Sequence, residues 1–223
     1  MSEPHYAHES LAKGSKSFAA AARLLPPSVR DDVAKLYAWC RHCDDVIDGQ
    51  ELGHGERQVD DPAGKLRTLR AQTDAALAGT PTGLPVFDGF GEVAARHGIT
   101  PPLAHDLLDG FAMDVAQARY DSLDALCAYC YGVAGAVGVM MALVIGVRPQ
   151  ESDTLDRACD LGLAFQMTNI SRDVIADAKT GRIYLPTDWL TEAGVPADAE
   201  AVADPSNRAA IWQTTDRLVR AAE

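Results

Sequence analysis

A chain of 223 residues, 47% hydrophobic and 23% charged, can bury a sizeable core and is too apolar to stay disordered. Its formal net charge of -12 argues against binding nucleic acid through phosphates, which takes clustered Lys and Arg. An anionic substrate stays open to it, because bound divalent cations reverse the local sign of a carboxylate pocket.

The N-terminal MSEPHYAHES has no basic segment leading into an apolar stretch, so no secretory signal is read there and a cytoplasmic location is expected. Beyond it a 3.6-residue period runs through nearly every segment, and none alternates with a period of two. That predicts an almost all-helical protein, a single domain over 1–223. Pro26-Pro27, Gly53 to Gly55, the AGTPTGLP stretch at 78–85, His97-Gly98 with Pro101-Pro102, Pro149 and Pro186 divide it into about eight helical blocks.

The first informative block is LYAWCRHCDDVIDG at 36–49. Tyr37, Arg41, Asp44 and Asp48 fall at steps of four, three and four, one continuous stripe on a helix. Leu36, Cys40, Cys43 and Ile47 repeat those steps one position earlier, so an apolar line runs beside the carboxylates instead of opposite them. The CxxC pairs Cys40/Cys43 and Cys127/Cys130 lie inside helical periodicity, whereas structural zinc pairs usually sit on tight turns. Zinc is therefore disfavoured, and the odd fifth cysteine, Cys159, argues against disulfides.

The apolar run Val133 to Val147 is shorter than the roughly 20 residues of a membrane-spanning helix and reads as a buried helix. Gly132, Gly135 and Gly138 would each weaken it by up to about 1 kcal/mol relative to Ala. They are expected to clear volume, either for close helix packing or for a smooth wall along a long ligand.

A second stripe follows in LGLAFQMTNISRDVIAD at 161–177. Gly162, Gln166, Asn169, Asp173 and Asp177 are spaced four, three, four and four, beside an apolar line of Leu163, Met167, Ile170 and Val174. Thr191 to Ser206 is acidic and rich in Ala and Pro, a loose surface connection by composition, and a last helix is expected from about Arg208.

Each stripe places two Asp one turn apart, with Arg41 or Arg172 close by. Such carboxylates repel, and burying them is costly unless a cation compensates. Hard oxygen ligands from one or two carboxylates per ion suit Mg2+, which completes its shell with water and substrate phosphates. One DxxxD alone reads as a solvated helix face; two, each with an apolar flank and an Arg, read as a Mg-diphosphate site.

These residues resemble the squalene/phytoene synthase family, its bacterial phytoene synthases most closely. The likeness runs through GSKSF at 14–18, the block at 36–49, LDGFAMDVAQARY at 108–120, YCYGVAGAVG at 129–138, the block at 161–177 and GRIYLP at 181–186. The resemblance implies an all-α isoprenoid-synthase helical bundle around a central cavity. It implies head-to-head condensation of two geranylgeranyl diphosphates to prephytoene diphosphate and then phytoene, without NADPH.

On that likeness Asp44, Asp48, Asn169, Asp173 and Asp177 would bind Mg2+, or Mn2+ in its place, with Asp45 in support. Ser15, Lys16, Ser17, Arg41 and Arg172 would clamp diphosphate, and Gln166 would join the polar face. Phe18, Tyr37, Tyr129, Tyr131 and Phe165 are candidate walls for carbocations, Tyr37 and Tyr129 foremost, with Gly135 on the tail-facing wall. Lipid substrates imply peripheral contact with the inner face of the membrane. No basic amphipathic helix marks the place, and oligomeric state is not legible.

Two departures from the family stand out. Ile175 and Ala176 replace a Gly and a Glu common among members, and nothing follows Glu223 where members continue through further C-terminal helices. Other readings remain: squalene or dehydrosqualene synthesis from farnesyl diphosphate, and a non-catalytic assembly member of the family. DDVID also fits the DDxxD of head-to-tail prenyltransferases and cyclases, but the second motif, Asn169 followed by two Asp at four-residue steps, repeats neither DDxxD nor an Asn, Ser and Glu triad. An HD-type phosphohydrolase built on His105-Asp106 is a further one, which lacks suitably placed His partners.

Overall fold

The computed structural model describes residues 3–50, 52 and 59–223, without the side chains of 3–6 and 17. The predicted break at Gly53 to Gly55 and the side chain of Ser17 thus lie outside the described residues. Among those described there is no strand, and twelve α-helices follow one another. They are α1 (Glu3–Gly14), α2 (Lys16–Ala22), α3 (Pro27–Asp48), α4 (Pro62–Leu77), α5 (Pro85–His97) and α6 (Pro101–Val115). After them come α7 (Leu123–Cys130), a π-helical turn (Tyr131–Gly135), α8 (Ala136–Val144), α9 (Ser152–Lys179), α10 (Thr187–Glu192), α11 (Ala199–Ala203) and α12 (Arg208–Ala221).

The punctuation is local chemistry. Proline occupies the first position of α3, α4, α5 and α6, where its missing N–H costs nothing and its fixed φ suits the helix. Gly49 ends α3 immediately after Asp48 with φ of 66°, a left-handed conformation that a side chain would disfavour. Where about eight blocks are expected, the excess is in short pieces. Ser15 caps a separate α2, and the 191–206 stretch, predicted to be a loose connection, folds into the end of α10 and into α11, with Val195 and Val202 buried. Asp198 caps α11 by accepting the Ala201 N–H at 2.8 Å, so its acidic residues are turn-formers there.

Two cores result. One joins α1 and α3 through α6 with α8 around Trp39, whose ring stacks on Phe90 at 3.8 Å and whose Nε1 donates to Thr73 at 3.3 Å. The other joins α7 and α9 through α12 around Tyr129, Met167, Trp189 and Leu218, and Arg217 lies over Trp189 at 4.1 Å. Val133, in the π turn, packs against both. The predicted 15-residue apolar run is part of a longer one, because the helical path is continuous from Leu123 to Val144, 22 residues. By length and composition that path could cross a membrane; here it is wedged between α6 and α9, half of it buried.

The glycines explain the wedge. A Cβ on Gly132 would come 2.9 Å from the Asp106 carbonyl, and one on Gly110 would come 2.9 Å from the Val133 nitrogen. Cβ atoms on Gly138 and Gly162 would strike the carbonyls of Ala158 and Ala134. Of the two uses foreseen for these residues, close helix packing is the one found. Gly135, foreseen on a tail-facing wall, is instead buried against Leu163, Cys159 and Tyr131.

All five cysteines are free. Cys43 and Cys130 are buried in different cores, as small apolar side chains inside helices would be.

At the far end of α3, Asp32 is 4% exposed and ties α3 to α5, holding Arg96 Nη1 at 2.5 Å and His97 Nε2 at 2.8 Å. Burial alone would raise its pKa, but the His97 and Arg96 hydrogen bonds outweigh that and hold it below its ordinary value. A depressed carboxyl lends stability that is complete above its unfolded pKa of about 4 and is lost as pH falls through the lower folded value. Asp32→Asn is expected to cost about 2 kcal/mol at pH 7 by chemical denaturation and to flatten the loss of stability below pH ~4. An unchanged acid limb would count against this role.

Candidate active site

Three helix ends meet. Asp48 is the last residue of α3, Asp114 the penultimate residue of α6, and Asp177 lies in the last turn of α9. A helix C-terminus carries partial negative charge, so three carboxylates there add to one another and to the dipoles. Arg182, from the segment after α9, enters the gap, and its Nη2 donates to Asp48 Oδ1 at 2.5 Å. That segment is fastened by Thr187 N–H to the Tyr120 carbonyl at 2.8 Å and by Arg119 Nη2 to the Gly181 carbonyl at 3.2 Å.

The charges are not balanced. Burial, with repulsion from Asp48, Asp45 and Asp114, pushes the Asp44 carboxyl up to about 7 even though Arg41 opposes it at 2.5 Å. Burial and the neighbouring Asp173 push Asp177 up to about 6 against the pull of Arg182. Burial likewise pushes Asp114 up to about 6, against Arg182 and two tyrosine hydroxyls and with Asp48 adding repulsion. Asp114 feels both Asp48 and Asp177, so the ends of the two predicted stripes lie within electrostatic reach of one carboxylate. Asp173 differs: it is paired with its neighbour Arg172 at 2.5 Å, which holds its carboxyl low.

On the α3 side, Tyr37 is 9% exposed and its hydroxyl lies 3.5 Å from Arg41 Nη2, a long contact. Arg41 Nε is buried without a hydrogen-bond partner, a donor aimed at no protein acceptor. The α1–α2 turn rests on this corner: a Cβ on Gly14 would lie 3.1 Å from Tyr37 Cε1, and the Phe18 and Tyr37 rings are 6.0 Å apart. Ser15 accepts the Phe18 N–H at 3.3 Å as the α2 cap, and Lys16 is exposed. On α9, the Asn169 amide reaches Gln166 at 3.5 Å.

Several expected members stand elsewhere. Asp45 stands about 100° around α3 from Asp44, accepts the Leu52 N–H at 2.7 Å, and lines a separate concavity with His42, Lys13 and Thr68. Phe18, Tyr131 and Phe165 are on the surface, 45%, 36% and 57% exposed, so among these described residues they do not form an enclosed wall. Tyr131 spends its hydroxyl on Asp106 at 2.6 Å. His105 bonds Asp74 instead, at 2.8 Å, so His105 and Asp106 do not converge as an HD dyad.

Sequence reasoning missed Asp114, Arg182 and Tyr184. The available signals were a lone Asp in the apolar FAMDV turn and the polar Arg182 and Tyr184 alternating with Ile183 and Leu185 in GRIYLP. Tyr129 and Tyr184 donate to the two oxygens of Asp114 at 3.0 and 2.9 Å, and their own oxygens are 3.4 Å apart.

Among the described residues, no three His, Cys, Asp or Glu side chains stand close enough together to hold a metal ion; Asp44, Asp48 and Asp173 are instead paired with Arg41, Arg182 and Arg172. The donor set nevertheless fits a hard cation: all-oxygen, anionic, partly buried, and raised in pKa for want of positive charge.

The squalene/phytoene synthase family profile matches residues 11–223. A phytoene synthase from Pseudescherichia vulneris is 51% identical over all of this chain and 72% of its own length. A 15-cis-phytoene synthase from a Paracoccus species is 52% identical over 96% of this chain and 68% of its own. A ligand-bound dehydrosqualene synthase superposes with a TM-score of 0.82 at 29% identity, over 99% of this chain and 74% of that one. The squalene synthase of Alicyclobacillus acidocaldarius shares the fold, with a TM-score of 0.79 at 21% identity. Helix ends rich in carboxylate, a helical bundle and a likeness running through residues 11–223 agree: the chain belongs to the squalene/phytoene synthase family.

Proposed function

We propose that this chain is a prenyltransferase of the phytoene synthase type, joining two geranylgeranyl diphosphates head to head by way of prephytoene diphosphate. The observation that carries the reading is the gathering of under-compensated carboxylates at the ends of α3 and α9 beside Arg41, whose buried Nε donor has no protein partner. Identity above 50% to bacterial phytoene synthases favours geranylgeranyl over farnesyl substrates.

Asp44 and Asp48 on one side, with Asn169, Asp173 and Asp177 on the other, would hold Mg2+. The ion supplies positive charge to the leaving diphosphate as its carbon–oxygen bond breaks. Arg41 and Arg182 are already ion-paired to the carboxylates; a bound cation would free both to donate to diphosphate oxygens, with Arg172 at the rim. Tyr37 and Tyr129 offer aromatic faces beside the cationic carbon. Phytoene keeps a double bond where the halves join, so the sequence ends in proton loss and needs no hydride donor.

The direct test is incubation with labelled geranylgeranyl diphosphate, with and without Mg2+, followed by analysis of the hydrocarbon fraction. Mg-dependent phytoene is expected; a C30 product from farnesyl diphosphate in its place would move the substrate assignment.

A cation test needs no turnover. Acids whose folded pKa is raised lend stability below their unfolded value near 4, and it is lost as pH rises through the folded value. Asp114 and Asp177 at about 6 and Asp44 at about 7 therefore weaken the cation-free protein progressively between pH ~4 and ~7. Mg2+ at about 100 times its Kd should return about 3 kcal/mol at pH 7.5 and far less at pH 5, where protons already occupy these groups. Thermal unfolding at the two pH values reads this out, and equal stabilisation at both would contradict it.

A further inference from the structure

The Asp114 cluster lies between the predicted stripes and belongs to neither. Its carboxylate accepts from Tyr184 at 2.9 Å through Oδ1 and from Tyr129 at 3.0 Å through Oδ2, and the hydroxyl oxygens approach to 3.4 Å, closing a three-membered polar ring. The three rings of Tyr120, Tyr129 and Tyr184 wall it, with centroids 5.1 to 6.1 Å apart. Tyr129 is 3% exposed and closes the back, while Asp114 and Tyr184 are half-buried, with Asp114 in electrostatic reach of Asp48 and Asp177.

Resting on the function proposed above, we propose that Asp114 is the proton acceptor for the C–H proton losses of the condensation, reached through the hydroxyl of Tyr184. Two geranylgeranyl diphosphates become one C40 hydrocarbon and two diphosphates only if two C–H protons leave, one at closure of the cyclopropane and one at the final double bond. In each, the C–H electron pair forms the new carbon–carbon bond, the proton passes to the Tyr184 oxygen, and the Tyr184 O–H proton passes to Asp114 Oδ1. Diphosphate or water then carries the proton off, so no oxidant or reductant enters.

Three features suit Asp114 to this. It is bonded to neutral phenols and not ion-paired in contact with an arginine, unlike Asp44, Asp48 and Asp173, so an added proton breaks no salt bridge. Burial raises all three tyrosines, which keeps them protonated as donors and carriers. Burial also lifts the Asp114 carboxyl to about 6, a basicity matched to accepting a proton near neutrality. Water held away by the tyrosine wall would otherwise trap the cation as an alcohol.

The experiment compares the intact protein with Asp114→Asn and Tyr184→Phe, measuring diphosphate release and phytoene separately in the presence of Mg2+. Thermal unfolding first establishes that each variant is folded. Phytoene is expected to fall about 100-fold or more in both variants. Diphosphate release should fall about tenfold at most, with the difference recovered as prenyl alcohol. A parallel loss of both products in a folded variant would mark Asp114 as structural and overturn the assignment, as would phytoene at the wild-type rate. Failure of the unsubstituted protein to release any diphosphate overturns the functional reading itself, and is thereby distinguishable from failure of the relay.

Discussion

Replacing one carboxylate of either stripe is expected to lower phytoene formation about a thousandfold without unfolding the protein. Asp48→Asn and Asp177→Asn are the informative pair. Each substitution keeps the shape and one acceptor oxygen but removes a negative charge at a helix C-terminus. In the cation-free protein the removal at Asp177 should be neutral or mildly stabilising, because burial and Asp173 push its carboxyl up, whereas Asp48→Asn also gives up the ion pair with Arg182 and should destabilise. Loaded with Mg2+, the same variant lacks an anionic ligand, so the leaving diphosphate ionises without full compensation. For Asp177→Asn activity and stability should therefore move in opposite directions, which a merely structural role would not produce. Asp45→Asn is the contrast: its oxygen accepts the Leu52 N–H off the stripe, an asparagine oxygen can do the same, and the loss should be about tenfold or less. Radiolabelled turnover beside denaturant unfolding separates the cases. A tenfold or smaller loss for both Asp48→Asn and Asp177→Asn would remove the cation site from these residues.

That contrast also marks how far the sequence could be read. Asp44 and Asp48 were legible because two carboxylates at i and i+4 beside an apolar line repel each other and are costly to bury without a cation, and the same holds for Asp173 and Asp177. Asp45 was read as a support beside them, yet a helix turns about 100° per residue, and off the stripe its carboxylate accepts the Leu52 N–H. Asp114, Arg182 and Tyr184 were hidden for the opposite reason. They come from the end of α6 and from a non-helical segment, so nothing periodic joins them; only tertiary packing brings Tyr184 to 2.9 Å from Asp114 and Arg182 to 2.5 Å from Asp48. The aromatic assignments show a third limit: Phe18 and Phe165 have the composition of a wall, but composition does not say which neighbours cover a side chain. The 191–206 segment misled because Asp and Pro serve equally in loops and as starts of short helices.

The glycines offer the sharpest test of the scaffold. Ala is favoured over Gly by about 1 kcal/mol in an exposed helix, so on propensity alone Gly138→Ala and Gly162→Ala would stabilise. The packing demands the reverse. A methyl on Gly138 meets the carbonyl of Ala158, and one on Gly162 meets the carbonyl of Ala134, so backbone and not a yielding side chain must move. Each substitution is expected to cost about 3 kcal/mol net, lowering Tm by about 6 to 12 °C in a domain of this size. Because both sit in the contact between α9 and the helical path through α8, the double substitution should cost less than the sum. Function should suffer with stability, since that path carries Tyr129 at one end of the contact and α9 carries Asp173 and Asp177 beyond it. Prying the helices apart shifts the Asp114 ring against the carboxylates it faces. A neutral or stabilising Gly138→Ala would show that α8 and α9 stand farther apart than this, and that the glycine spacing serves a ligand wall after all.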